Sequence, residues 1–263
     1  MKELIDKTDY PRSRETIKQD LVQLGVHSGM TILVHSSLSS IGWVNGGAVS
    51  VVQALMDLVT EEGTIIMPSQ STDLSDPSEW QFPAVPKEWW NDIKETMPAY
   101  DPEYTPTTGM GKVVEVFRAF PGVIRSMHPA YSFVAWGKNK EKLLNSHEID
   151  FGLGELSPLG KLYKENTFVL MIGVGYDSNT CFHLAEYRDK HKTYIKKGAP
   201  VIEYGQRVWK VYDEIQFNEE KFEEIGKGFE KSCHIEQGKI GSANSKLFSM
   251  REAVDWAENW LNK

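Results

Sequence analysis

The spacing of apolar positions along the chain predicts its elements. Residues 13–25 place Ile17, Leu21, Val22 and Leu24 at helical intervals and read as an amphipathic helix. "TILVHSS" at 31–37 is a short apolar run ending in small hydroxyls, as a buried strand would be. "GGAVSVVQALMDLVTE", Gly46–Glu61, returns to helical spacing through Val49, Val52, Leu55, Met56 and Val59, and Gly63 stops it. "GTIIMPS" supplies a second strand, and Gly109–Phe120 another helix, with Val113, Val116, Phe117 and Phe120 on its apolar side. Strand character recurs at 131–137, "YSFVAWG", and at 167–175, "TFVLMIGVG". Residues 199–217 alternate about a Tyr-Gly-Gln turn and predict an antiparallel hairpin. Charged amphipathic helices near 219–232 and 249–261 close the chain. With no repeat or linker, residues 1–263 are expected to form one domain of the α/β class. Its expected form is a three-layer α/β/α body with a mixed central sheet, plus the C-terminal hairpin and helices.

Composition narrows the class. The 263 residues are 40% hydrophobic, enough to bury a core, and carry a formal net charge of -8. Two cysteines, Cys181 and Cys233, form no C-x-x-C pattern, which speaks against a disulfide framework or structural zinc. The polar start, "MKELIDKTDYPRSRETI", lacks the apolar core of a signal peptide, and no run is long enough to span a bilayer. A cytoplasmic protein with no membrane partner is expected.

The acidity is concentrated. Between residues 72 and 104, eight Asp or Glu face two Lys, with five of the twelve prolines and three of the eight tryptophans. A solvated loop is the plainer reading, but so long a connection is usually functional or disordered, and Trp80, Trp89 and Trp90 speak against disorder. An acidic, aromatic loop suits a polycationic ligand through carboxylate pairs and cation–π contact, and repels nucleic acid. Asp73, Asp76 and Glu79 are its candidate amine ligands, on composition and position alone.

Three stretches carry candidate chemistry. "HSSLSSIGWVNGGA", His35–Ala48, runs from a strand end through hydroxyls to two glycines opening a helix, an arrangement that suits phosphate. It matches neither the P-loop nor the dinucleotide fingerprint, so an ordinary strand–turn–helix junction stands equally open. "TPTTGMGK" at 105–112 repeats the logic, with Thr107 and Thr108 also suited to capping a helix. Arg125 can pair with a phosphate or with the acidic loop, while His128, alone before Pro129, reads as structural. In "TCFHLAEYR", 180–188, His183 and Glu186 share one helical face: an oriented base, half a metal site or a plain surface helix.

Taken in order, "HSSLSSIGWVNGGA", "IIMPS", "TPTTGMGKVVEVFRAFPGVIRSMHP", "SPLGKLY" and "TCFHLAEYR" resemble the aminoglycoside 3-N-acetyltransferase family, from about residue 13 to about 190. The resemblance implies that family's own α/β/α fold, acetyl-CoA as co-substrate and an amine of a polycationic sugar antibiotic as acceptor. It assigns coenzyme A contacts to His35, Ser36, Ser37, Leu38, Ser39, Gly46, Gly47, Thr107, Thr108, Gly109 and Lys112. It assigns catalysis to His183 as presumed base, Glu186 as its acidic partner and Thr180 beside them, without a metal.

The chemistry requires such a pair. An ammonium cannot attack a thioester, so a base must take the amine's proton, and a carboxylate on the other ring nitrogen fixes the tautomer. Thr180 can cap the helix or assist an oxyanion, and Cys181 is the one nearby nucleophile. Three alternatives stand beside this reading. They are a metal site using His183, Glu186 and His191, a coenzyme A-binding protein without catalysis, and an acetyltransferase for a different amine. Regioselectivity is left open, and so is a homodimer.

Overall fold

In the computed structural model, which describes residues 2–6 and 8–263, the central strand is β1 (Thr31–Ser36). Around it lie β2 (Thr64–Pro68), the short β3 (Ile124–Arg125), β4 (Phe133–Gly137) and β5 (Thr167–Ile172). A long hairpin follows, β6 (Tyr194–Glu203) and β7 (Gln206–Ile215), and then β8 (Glu236–Ile240) and β9 (Ala243–Ser249). Seven strands form one sheet in the order β3-β4-β2-β1-β5-β9-β8, while β6 and β7 pair only with each other. β1 runs parallel to β2 and β5; the other pairings are antiparallel, so the sheet is mixed as expected.

Both sheet faces are covered, and the strand period of two shows it. Ile32 and Val34 of β1 face one apolar cluster with Leu170 and Ile172 of β5, while Leu33, Val169 and Met171 face the other. Helices Arg14–Gln23, Gly47–Val59 and Gly111–Phe117 cover the first face. The second lies under Pro158–Lys164, Cys181–Arg188, Phe222–Ser232 and Met250–Leu261. Among the described residues no helix is long and apolar enough to cross a membrane.

Two apolar faces are narrower than their spacing predicts. Ile17, Leu21 and Leu24 are buried, but Val22 is 53% exposed, since one residue beyond Leu21 is a turn of 100° away from the core. Val49 is likewise exposed, the buried set being Ala48, Val51, Val52, Leu55 and Val59. Ser13 caps the first of these helices and closes a capping box with Thr16. The helix expected over Gly109–Phe120 starts only at Gly111 and ends at Phe117. The hairpin extends further than expected, turning on Tyr204 and Gly205 with φ of 51° and 77°, the geometry that matches strand twist.

The acidic stretch is not a bare loop. It holds short 3-10 turns at Pro77–Glu79 and Lys87–Trp89 and the helix Trp90–Thr96, and it docks on the hairpin. Arg207 donates to the carbonyls of Lys94 and Met97, and the Tyr100 N–H donates to the carbonyl of Pro200 at 3.1 Å.

Candidate active site

From β1 the chain crosses to β2 on one side, and β5 arrives on the other, so the connections diverge at the C-terminal end of β1. Ligands of open α/β sheets bind outside such a switch point. A cavity of about 670 Å³ lies there. His35, Ser36, Ser37, Leu38 and Ser39 line it from the end of β1, and Gly109 and Lys112 from the glycine turn opposite. Thr180, His183 and Glu219 complete that wall. Residues from all three expected stretches thus meet at one cavity.

Gly173 ends β5 with φ of +66°, and a Cβ there would lie 2.4 Å from that of Ser40. That close approach brings Ser40 Oγ within 3.0 Å of the Gly173 carbonyl oxygen and 2.8 Å of Ser37 Oγ, a hydrogen-bonded set that fixes the serine turn.

His183 stands on helix Cys181–Arg188, which follows β5, and is 4% exposed. Its Nδ1 is 2.7 Å from Glu186 Oε2, and its Nε2 is 3.3 Å from Glu219 Oε1. Glu186 is itself held, its Oε1 accepting the Asn218 N–H at 2.6 Å. Phe217 and Phe222 pack on the imidazole, with ring centroids 4.4 and 5.0 Å away. Burial alone would hold the ring neutral, yet the hydrogen bonds and charges of Glu186 and Glu219 outweigh it and raise its pKa to about 9. Glu219 is held below the usual carboxylate range by its hydrogen bond to His183. Glu219 was not singled out from the sequence. "NEEKFEEI" reads as an acid-rich helix start, and nothing in it points back to His183.

His35 behaves in the opposite way. It is 7% exposed, and burial together with the neighbouring His183 charge lowers its pKa to about 3. Its Nε2 is buried with no hydrogen-bond partner among the described residues, and Ser36 Oγ is in the same position.

Other candidates have different surroundings. Gly46 and Gly47 start helix Gly47–Val59 outside the cavity lining. Thr107 gives its N–H and hydroxyl to the Glu115 carboxylate, and the Thr108 N–H donates to the Gln70 carbonyl at 2.7 Å; neither lines the cavity. Thr180 makes no side-chain capping bond, so capping does not explain it. Arg125 meets neither a phosphate site nor the acidic carboxylates. Its guanidinium donates to the carbonyls of Ser69 and Thr105 at 2.5 Å and to Ser71 and Ser132 hydroxyls at 2.7 and 3.0 Å. His128 is structural as read: its Nδ1 accepts the N–H groups of Ala130 and Tyr131, which leaves Nε2 to donate to the Ile149 carbonyl at 3.1 Å. Burial pushes the Cys181 thiol up to about 12, which removes it as a nucleophile near neutral pH. Among the described residues no three His, Cys, Asp or Glu side chains converge as a metal site, so His191 does not join the pair.

In the acidic segment, Asp76 pairs with Lys94 at 2.5 Å, Glu79 pairs with Lys197, and Asp73 is exposed. Burial raises the Tyr131 phenol well above its ordinary range, and Tyr212, Glu214, Glu79 and Glu219 add to that rise.

With this geometry in hand, the comparisons are decisive. The family model for aminoglycoside 3-N-acetyltransferase matches residues 33–262. The chain belongs to that family. It is an acyltransferase of the family's α/β/α fold. It is 60% identical over 262 residues to the SPbeta prophage-derived aminoglycoside N(3')-acetyltransferase-like protein YokD of Bacillus subtilis, covering 99% of this chain and 96% of that one. The YokD crystal structure superposes with a TM-score of 0.98 over 99% of this chain and 97% of that one. The structure of AAC-IIIb in binary complex with CoASH is 30% identical with a TM-score of 0.85, covering 96% of this chain and 97% of that one. AAC-VIa bound to sisomicin is 28% identical with a TM-score of 0.87, covering 96% and 98%.

Proposed function

We propose that the chain moves the acetyl group of acetyl-CoA to an amine of an aminoglycoside, the 3-amino group of a 2-deoxystreptamine ring, by direct attack in a ternary complex. The observation that carries this reading is His183, held between Glu186 and Glu219 at a cavity that also meets the serine and glycine turns. Coenzyme A in AAC-IIIb and sisomicin in AAC-VIa supply the chemical classes.

The residues fit such a co-substrate. Ser36, Ser37, Ser39 and Lys112 offer hydroxyls and a cation for phosphate and amide groups, and the orphaned polar atoms of His35 and Ser36 await partners. The acceptor arrives as an ammonium, and Glu219 is the exposed carboxylate beside the imidazole. A cation settling on Glu219 removes one support of the imidazolium and adds a like charge, so His183 releases its proton to solvent. The ammonium loses one proton to solvent, and neutral His183, oriented through Nδ1 by Glu186, takes a second as the nitrogen bonds to the acetyl carbon. The C–S bond breaks, the leaving sulfur takes that proton from His183, and the imidazole regains a proton from solvent when the products leave. Asp73, Asp76 and Glu79 would receive further ammonium groups, Asp76 and Glu79 once Lys94 and Lys197 yield.

The test is release of free thiol from acetyl-CoA over a panel of 2-deoxystreptamine aminoglycosides and simple polyamines, with His183→Ala as control. Turnover on the aminoglycosides, abolished in the variant, supports the reading. Thiol release on polyamines alone transfers the reaction to a different amine. No turnover on any amine, with coenzyme A still bound, leaves a coenzyme-binding protein.

A further inference from the structure

His35 is the buried ionisable side chain at the cavity that the mechanism above does not use. It is the last residue but one of the central strand, borders the cavity that His183 borders, and is close enough to His183 for the charge there to disfavour its own. Its Nε2 is shielded from water and has no hydrogen-bond partner among the described residues. Leaving a polar atom in that state is unfavourable, and a bound ligand that pairs with it removes the cost.

We propose that the His35 imidazole donates a hydrogen bond to the carbonyl oxygen of the acetyl thioester and holds the negative charge that develops there during transfer. This rests on the acetyl-CoA reading above. The amine must reach the acetyl carbon from the His183 side, so the carbonyl oxygen lies within the same short stretch of cavity. An imidazole that keeps a single ring proton can offer it there without losing it. Its basicity is far too low for a second general base, since burial and the His183 charge both disfavour the imidazolium. A donor held at the developing oxyanion is what acyl transfer needs.

The experiment has a readout that needs no acceptor: the carbon-13 resonance of [1-13C]acetyl-CoA bound to the wild-type protein, to His35→Phe and to His35→Gln. A donor to the carbonyl oxygen moves that resonance downfield of free acetyl-CoA in the wild type. His35→Phe abolishes the displacement, and His35→Gln, which keeps an N–H, restores part of it. In parallel, kcat with sisomicin is expected to fall about 100-fold in His35→Phe, with the Kd for coenzyme A within about threefold of wild type. No displacement in the wild type overturns the proposal without recourse to any variant. A Kd that rises in step with KM while kcat holds overturns it too, leaving a residue that only seats the coenzyme. If aminoglycosides are not turned over but the displacement depends on His35, the acceptor reading fails and this one stands. If acetyl-CoA does not bind, both fall.

Discussion

The charge held on His183 has a consequence for stability that can be read without any substrate. The folded protein binds the imidazole proton with a pKa of about 9, against about 6.5 in an unfolded chain. The native state therefore holds this proton more tightly, and stability depends on pH at about 1.4 kcal/mol per pH unit wherever only the folded form is protonated. The contribution is complete below pH 6.5 and is lost as pH rises through about 9, for an integrated effect of about 3 kcal/mol. Solvent screening takes little from it, because His183 is 4% exposed. Urea unfolding of the wild type and His183→Asn at pH 6, 7.5 and 9.5 measures it as a difference, in which the other groups titrating over this range cancel. The wild type should lose about 3 kcal/mol more than the variant across the range. Parallel curves would mean that folding does not raise the His183 pKa and that its two carboxylates do not govern it.

Three further outcomes follow from the same contacts. His183→Ala should lower kcat by about 10² to 10⁴ with the coenzyme A Kd unchanged by calorimetry; wild-type turnover in the variant removes the base. The kcat/KM profile should rise towards the free-enzyme pKa of about 9, and in Glu219→Gln that limb should move to lower pH, because one support of the imidazolium is gone. The acceptor's own ionisation is common to both enzymes, so coincident limbs would disprove the link. Arg125→Ala should cost about 2–4 kcal/mol in urea unfolding, since it orphans the carbonyls of Ser69 and Thr105. Arg125→Lys should recover less than half, as one ammonium cannot replace the fork; full recovery would show that charge alone matters.

The fold was legible where burial writes a period. β1 and β5 are apolar on both faces and helix Gly47–Val59 has a broad apolar face, so each announces itself. β8 is not legible in the sequence for a physical reason. β8 is an edge strand with four exposed residues in five, "EQGKI", and a polar edge carries no hydrophobic alternation to detect. The first turns of β6, "YIKKG", were lost to the same effect, so the hairpin was read five residues short at its start. In the acidic segment, composition located an unusual stretch but not the pairs that organise it. Lys94–Asp76 and Lys197–Glu79 span 18 and 118 positions, distances over which charge alone in a sequence says nothing of partners.

The site divides along the same line. His183 and Glu186 were readable as a pair because one helical turn joins them, and a helix enforces that contact whatever else folds. One helix can serve only one ring nitrogen. The other, facing the cavity, takes its partner from Glu219, which reaches it only because β6 and β7 carry the chain out and back before the turn that holds it. The two carboxylates are unequal in a way that suits the proposed mechanism. The Glu186 side chain is 8% exposed and tied to the Asn218 N–H, whereas that of Glu219 is 62% exposed and has solvent on its free side. A base needs a fixed orienter on one nitrogen, and on the other a contact that an incoming ammonium can take over. A helix supplies the first from local sequence, and the second has to come from a surface turn, where sequence spacing holds no record of it. Exchanging the pair's characters tests that division. Glu186→Gln, which keeps the side chain's shape but removes the charge that orients the imidazole, should lower kcat at unchanged acceptor KM, while Glu219→Gln should raise acceptor KM as well.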